Sequence, residues 1–383
     1  MLKNPITLSI ALALSAASLG MAAAPAQGAD TTATSVKTMN PFFQQSPLPL
    51  QYPQFDKITD ADFAPAFNRG MADNSREIEA IANSEDKPTF ANTILAMESS
   101  GQLLRRALTV FFNLASANTN DTLDKLDAEY SPKLAAHNDS VYLNAKLFER
   151  IKALYAKRET LGLDAQGVRL IERYHTDFVR AGANLTEAQK TRVKAINAEM
   201  ATLTTQFGQN VQDEVNDSAV IVSDRAELAG LTDQQIEGLA ESAKEKGMPG
   251  KYRIALLNTT IQPLLPQLDN RALRERIHKA SVARGSRGNK WDNRAIVSKV
   301  TKLRAERAAI MGYPSYAAFG LAEETAKNPE AVNKMLEQLA PPAVANARKE
   351  GAVLQAMIDS EQKAKGQNSF ALEPWDWSYY TDK

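Results

Sequence analysis

The sequence predicts a mainly α-helical protein with one small β segment around residues 219–260. Three observations carry that expectation. Apolar residues recur at spacings of three and four along most of the chain, the period that lines up one stripe on one side of a helix. Thr186-Glu187-Ala188-Gln189 opens the clearest of these stretches as a capping box, in which two side chains satisfy backbone N–H groups that a first helical turn leaves unpaired. Only two short runs, Ala219-Val220-Ile221-Val222 and Tyr252-Arg253-Ile254-Ala255-Leu256, break the helical period between turn residues and read as strands.

In chain order, the first segment carries Lys3, an apolar run from Ile6 to Leu19, and Ala22-Ala23-Ala24-Pro25-Ala26-Gln27-Gly28-Ala29. A basic start, a short apolar middle and small residues at the end are the layout of a secretory signal peptide, here residues 1–29, with cleavage after Ala24 or Ala26. The apolar run is shorter than the roughly 20 residues that span a bilayer. The mature chain is therefore expected to be exported and unattached to membrane, periplasmic in a host with two membranes and secreted in one without an outer membrane. Residues 30–52 are polar and contain Pro41, Pro47 and Pro49, which predicts an extended arm.

Helical spacing begins after the arm. Phe63, Phe67, Met71, Ile78 and Ile81 make one stripe, and Leu123, Leu126, Tyr130 and Leu134 a second. Behind the capping box, Val193, Ile196, Met200, Leu203, Phe207, Val211 and Val215 form a stripe long enough for a helix bundle. Val297, Val300, Leu303 and Ile310 lead into Met311-Gly312-Tyr313-Pro314, a helix stop, and Pro329 is placed at the first position of the next helix. No internal repeat or low-complexity linker interrupts this pattern.

The chain has 383 residues, room for two domains or one large one. Its 45 Lys plus Arg balance 45 Asp plus Glu, so bulk charge provides no drive toward nucleic acid or an anionic membrane. Without cysteine, disulfides, thiolate catalysis and cysteine-ligated metals are excluded. The histidines are His137, His175 and His278.

Two Glu-x-x-His pairs, Glu172 with His175 and Glu275 with His278, have the spacing that brings a carboxylate and an imidazole to one metal in di-iron helix bundles. The apolar stripe of the second pair, Leu273, Ile277 and Ala280, turns Glu275 away from the interior, so surface ion pairing is the expectation for it. Across residues 271–307 basic side chains far outnumber Glu275, Asp292 and Glu306. With Trp291 as its only aromatic, this stretch reads as a basic wall facing an acidic domain or an anionic ligand terminus rather than nucleic acid. Gly285-Ser286-Arg287-Gly288-Asn289-Lys290 lacks the Gly-Lys-Ser/Thr of a phosphate loop, and there is no Gly-x-Ser-x-Gly elbow of a serine hydrolase. His-Glu-x-x-His, which sets two zinc ligands one turn apart with a general base beside them, is also absent. The sequence therefore assigns no catalytic, cofactor-binding or metal-binding residue.

Asn40-Pro41-Phe42, Leu48-Pro49, Phe55-Asp56-Lys57-Ile58, Phe90-Ala91-Asn92-Thr93-Ile94-Leu95-Ala96-Met97-Glu98, Leu256-Leu257-Asn258-Thr259-Thr260, Met311-Gly312-Tyr313-Pro314-Ser315-Tyr316-Ala317 and Leu372-Glu373-Pro374-Trp375-Asp376-Trp377 follow one another in a familiar order. They resemble segments of the bacterial peptidyl-dipeptidases, dipeptidyl carboxypeptidases of the thimet-oligopeptidase family of zinc metallopeptidases. The resemblance implies that residues 53–383 are the large helical N-terminal lobe of a two-lobed oligopeptidase fold, truncated before the zinc-binding catalytic region. It further implies Zn2+ as cofactor with no ligands in this chain, short peptides as substrates, C-terminal dipeptides as products, and a monomer when complete. On this reading the chain is inactive alone; the alternative is a noncatalytic helical peptide-binding or scaffold protein.

Overall fold

The computed structural model describes residues 39–383, so the signal-peptide reading of residues 1–29 and the first part of the arm lie outside the described residues. The arm enters as two single turns, Pro41–Phe43 and Pro49–Gln51, each with proline in its first positions. Asn40 holds the first turn in place: its Oδ1 accepts from the Phe42 N–H and its Nδ2 donates to the Asp62 carbonyl at 2.7 Å. Phe42 is thereby buried against Phe63, with ring centroids 5.4 Å apart.

Six helices follow the arm and its short turns: α1 (Phe63–Ala82), α2 (Ala96–Ser99), α3 (Gln102–Ala117), α4 (Asp121–Tyr142), α5 (Ala145–Tyr155) and α6 (Ala165–Ala181). The stripe read from the sequence on α1 is the face that buries: Phe63 and Phe67 pack edge-on against Phe111 of α3 at 5.2 Å, and Phe67 against Tyr130 of α4 at 5.0 Å. Gly70 lets α1 and α3 approach closely, because a Cβ there would stand 2.8 Å from the Leu104 Cα. A second core joins α1, α5 and α6 through Ile78, Leu147, Ile151, Ile171 and Phe178.

Helix α7 (Glu187–Asp217) opens with the expected capping box, Thr186 and Gln189 bonding each other's backbone N–H groups. After it, β1 (Val220–Val222) pairs antiparallel with β2 (Tyr252–Ile254), Val220 opposite Ile254, with α8 (Asp233–Glu245) between them in sequence. A third core of Val222, Leu239, Ile254, Leu268 and Ile277 sits beneath this sheet and ties it to α9 (Asn258–Leu264) and α10 (Arg271–Val282). The remaining helices are α11 (Arg294–Ile310), α12 (Tyr316–Leu321), α13 (Pro329–Ala364) and α14 (Pro374–Asp382). Gly312, at φ 81, ends α11 where a side chain would be strained, and Asn328 caps α13 ahead of Pro329. The mainly helical class with one small sheet is thus what the chain forms, and among the described residues no helix is long and apolar enough to cross a membrane.

One element departs from its expected packing. On α7 the stripe buries Val193 and Ile196, but Phe207 and Val211 are 39% and 46% exposed, while the polar Asn210 and Glu214 are buried. Over so long a helix the inward phase moves around the cylinder, and polar side chains take the positions that face the segment between α10 and α11, where Asn210 meets Asn293 and Glu214 meets Asn289. Val297 on α11, also expected inside, is half exposed beside them.

Candidate functional site

The structure does not assemble the Glu-x-x-His pairs into a metal centre. Glu172 accepts from Arg158 Nε and Arg169 Nη1, each at 3.2 Å, and these hydrogen bonds, Arg169 first, hold its carboxyl below the usual carboxylate range. His175 stacks on Tyr155 at 3.8 Å and 8° between planes, and burial pushes its imidazole below its ordinary value, helped by Arg158 and Lys152. Glu275 pairs with Lys279 at 2.6 Å, the surface pairing expected for it, and His278 lies 5.8 Å from the Trp375 ring. His137 is bonded to Asn74 at 2.8 Å. Among the described residues no three His, Asp or Glu side chains come together as a metal site.

The basic stretch does not form one continuous wall. Its side chains are shared among separate partners: Arg276 with Glu227 at 3.1 Å, Arg287 with Glu214 at 3.0 Å, Arg294 with Asp292 at 2.6 Å and Lys299 with Glu199 at 3.0 Å. Arg304 and Arg307 lie over the rings of Tyr316 and Phe319 at 5.1 and 5.6 Å. Burial lowers the Arg307 guanidinium from its ordinary value. The residues are basic by sequence neighbourhood, but helical geometry points them in different directions.

The most deeply buried of these contacts is the clamp on Asp376. Its carboxylate, fully buried, accepts from Arg271 Nη2 at 2.8 Å and Arg274 Nη2 at 3.0 Å. Arg274, itself 1% exposed, spends Nη1 on the Leu268 carbonyl at 2.6 Å and Nε on the Trp375 carbonyl at 3.2 Å. Asp376 also accepts from the Glu373 N–H at the start of α14, so one buried carboxylate caps α14 and fastens it to α10.

Among the described residues, an apolar-walled groove of about 650 Å³ lies between the second half of α7 and the segment joining α10 to α11. Its walls are Phe207, Val211 and Val215 on one side and Val297 on the other, with Arg284 at the edge. Beneath it the polar groups are already satisfied: Asn210 Nδ2 donates to Asn293 Oδ1 at 2.8 Å, Asn293 Nδ2 to the Phe207 carbonyl at 3.2 Å, and Asn289 Nδ2 to Glu214 Oε2 at 2.9 Å. This latch fixes the loop and leaves the apolar walls free to take an apolar side chain. Sequence reading missed this groove because Phe207, Val211 and Val297 looked like core; the available signal was that Asn210 and Glu214 interrupt the inward side of the same helix.

Residues 264–383 match the family model described as Peptidase family M3. More particularly, the chain is 43% identical over 346 residues to dipeptidyl carboxypeptidase of Escherichia coli (strain K12), a match covering 90% of this chain and 50% of that protein. It is 41% identical to the dipeptidyl carboxypeptidase of Salmonella typhimurium over 344 residues, with the same two shares, 90% and 50%. Oligopeptidase A of Haemophilus influenzae is 29% identical over 86% of this chain and 48% of its own length. The chain spans about half the length of the curated relatives it matches. The resemblance to bacterial peptidyl-dipeptidases expected from the motifs is therefore present across nearly the whole chain, including the clamp residues Arg271, Arg274 and Asp376, which lie inside the family segment.

Proposed function

We propose that this chain forms the helical lobe of an exported zinc metallopeptidase that releases C-terminal dipeptides from short peptides. The observation that carries the reading is the 43% identity to a dipeptidyl carboxypeptidase over 90% of the chain. The described residues do not fit the zinc that the resemblance implies: His137 is held by Asn74, His175 by the Tyr155 ring, and Glu172 and Glu275 by basic partners. No bond-breaking step is assigned to them. Their part is to shape the peptide's surroundings: rigid helices limit entry to short unfolded peptides, and apolar walls such as the α7 groove hold side chains in place.

A chimera tests this, joining the chain in frame to the half of the Escherichia coli dipeptidyl carboxypeptidase that it does not match. Release of a C-terminal dipeptide from an N-blocked tripeptide is expected. Release of a single amino acid, or no cleavage by a folded chimera, overturns the reading. The chain by itself is expected to hydrolyse nothing and to take up no stoichiometric zinc. Export is read from residues 1–29. It is checked by N-terminal sequencing of the mature protein from a periplasmic fraction, where a start at Pro25 or Gln27 is expected and an intact Met1 contradicts it.

A further inference from the structure

Three arginines that belong to neither the clamp nor the surface pairs converge on one aromatic layer. Helix α12 supplies its two rings, Tyr316 and Phe319, with centroids 6.0 Å apart. Arg180, near the end of α6, lies over the Phe319 ring at 4.4 Å and donates Nη2 to the Phe319 carbonyl at 2.9 Å. From α11, Arg307 lies over the same ring at 5.6 Å and Arg304 over Tyr316 at 5.1 Å.

Their charge is not answered within the described residues, where none of the three forms an ion pair. The acids whose fields reach Arg307 and Arg180 are engaged elsewhere: Asp139 accepts from Asn197 Nδ2 at 2.7 Å, and Asp177 pairs with Arg173 at 2.9 Å. Arg180 Nη1, Arg304 Nε and Arg307 Nε are sealed from solvent with no acceptor among the described residues. Burial lowers the Arg307 guanidinium and the charge of Arg180 adds to the lowering, against Tyr316 and Asp139, which raise it. Stacking holds a guanidinium by its face and leaves its edge, where the N–H donors point, unspent. Like charges gathered at low solvent exposure repel one another, and sealed donors without acceptors call for a partner.

We propose that Arg180, Arg304 and Arg307, gathered around Tyr316 and Phe319, bind a small oxyanion, either a phosphate ion or the carboxylate of a peptide. The planar fork of a guanidinium matches two oxygens of such an anion, a geometry that a spherical halide does not offer. Bound there, the anion joins α6, α11 and α12. None of these residues lines the α7 groove or enters the peptidase reading, so oxyanion binding and peptidase function can fail separately.

Phosphate, an N-acetylated dipeptide and chloride, each added to the full chain at matched ionic strength, test the site by thermal unfolding, with phosphorus NMR line width as a second readout for phosphate. Phosphate or the blocked dipeptide should raise the unfolding midpoint saturably, and chloride should not. A rise with phosphate alone identifies an inorganic ligand, and a stronger rise with the dipeptide identifies a peptide terminus. Arg307→Gln should raise the half-saturating concentration at least tenfold, and Arg304→Gln provides the same comparison if the first variant does not fold. An equal rise with chloride would be screening alone and overturns the site. So does the absence of any rise, or a half-saturating concentration that both variants leave unchanged.

Discussion

Asp376 loses all its water on folding and regains its interactions from Arg271 and Arg274, so its worth lies in what its removal would leave behind. Arg274 would keep its charge in a site with almost no solvent. Breaking one side of a buried pair costs about 3–5 kcal/mol. Asp376→Asn retains an acceptor at nearly the same place, and we expect a loss of about 3 kcal/mol in urea unfolding; a loss under about 1 kcal/mol would mean the clamp is redundant. His175 supplies a pH effect of definite sign. Burial lowers its imidazole, so below the ordinary histidine value the unfolded chain binds the proton more readily than the folded one. The stability it contributes is present above about pH 6.5 and is lost as pH falls through the lower folded value. His175→Phe keeps a ring on Tyr155 but cannot titrate. Its stability relative to wild type should therefore rise between pH 7 and pH 5; an unchanged difference would show that the stack does not sense protonation.

At the scale of elements, close helix contact depends on what is missing. Gly70 faces the backbone of Leu104, and a Cβ there would need α1 and α3 to separate. Gly70→Ala gains helix propensity of about 1 kcal/mol and incurs overpacking of about 1–3 kcal/mol. Net destabilisation is expected in thermal unfolding, and a stabilised variant would show that the two helices can part freely. Stripes on α1 and α4, the capping box of α7, the two strands and the stop at Gly312 were all legible, because each depends on neighbours within a few residues. The second half of α7 was not. Which side of a long helix faces inward is decided by what packs on it, and there it is the loop held by Asn293, Asn289 and Arg287.

At the scale of the whole molecule, the sequence alone determined the helical class, the placing of the small sheet, the family resemblance and the absence of a zinc motif from these 383 residues. These follow from local periodicity and from order along the chain. It did not determine the fate of the charged residues: the apparent basic wall separates into individual pairs, and the Glu-x-x-His pairs turn to unrelated neighbours. That was decided by the tertiary structure. Burial and ion pairing are properties of surfaces brought together from distant parts of the chain, as Asp376 meets Arg271 and Arg274 only when α14 docks on α10, whereas a helical period repeats within a few residues whether or not anything lies against it.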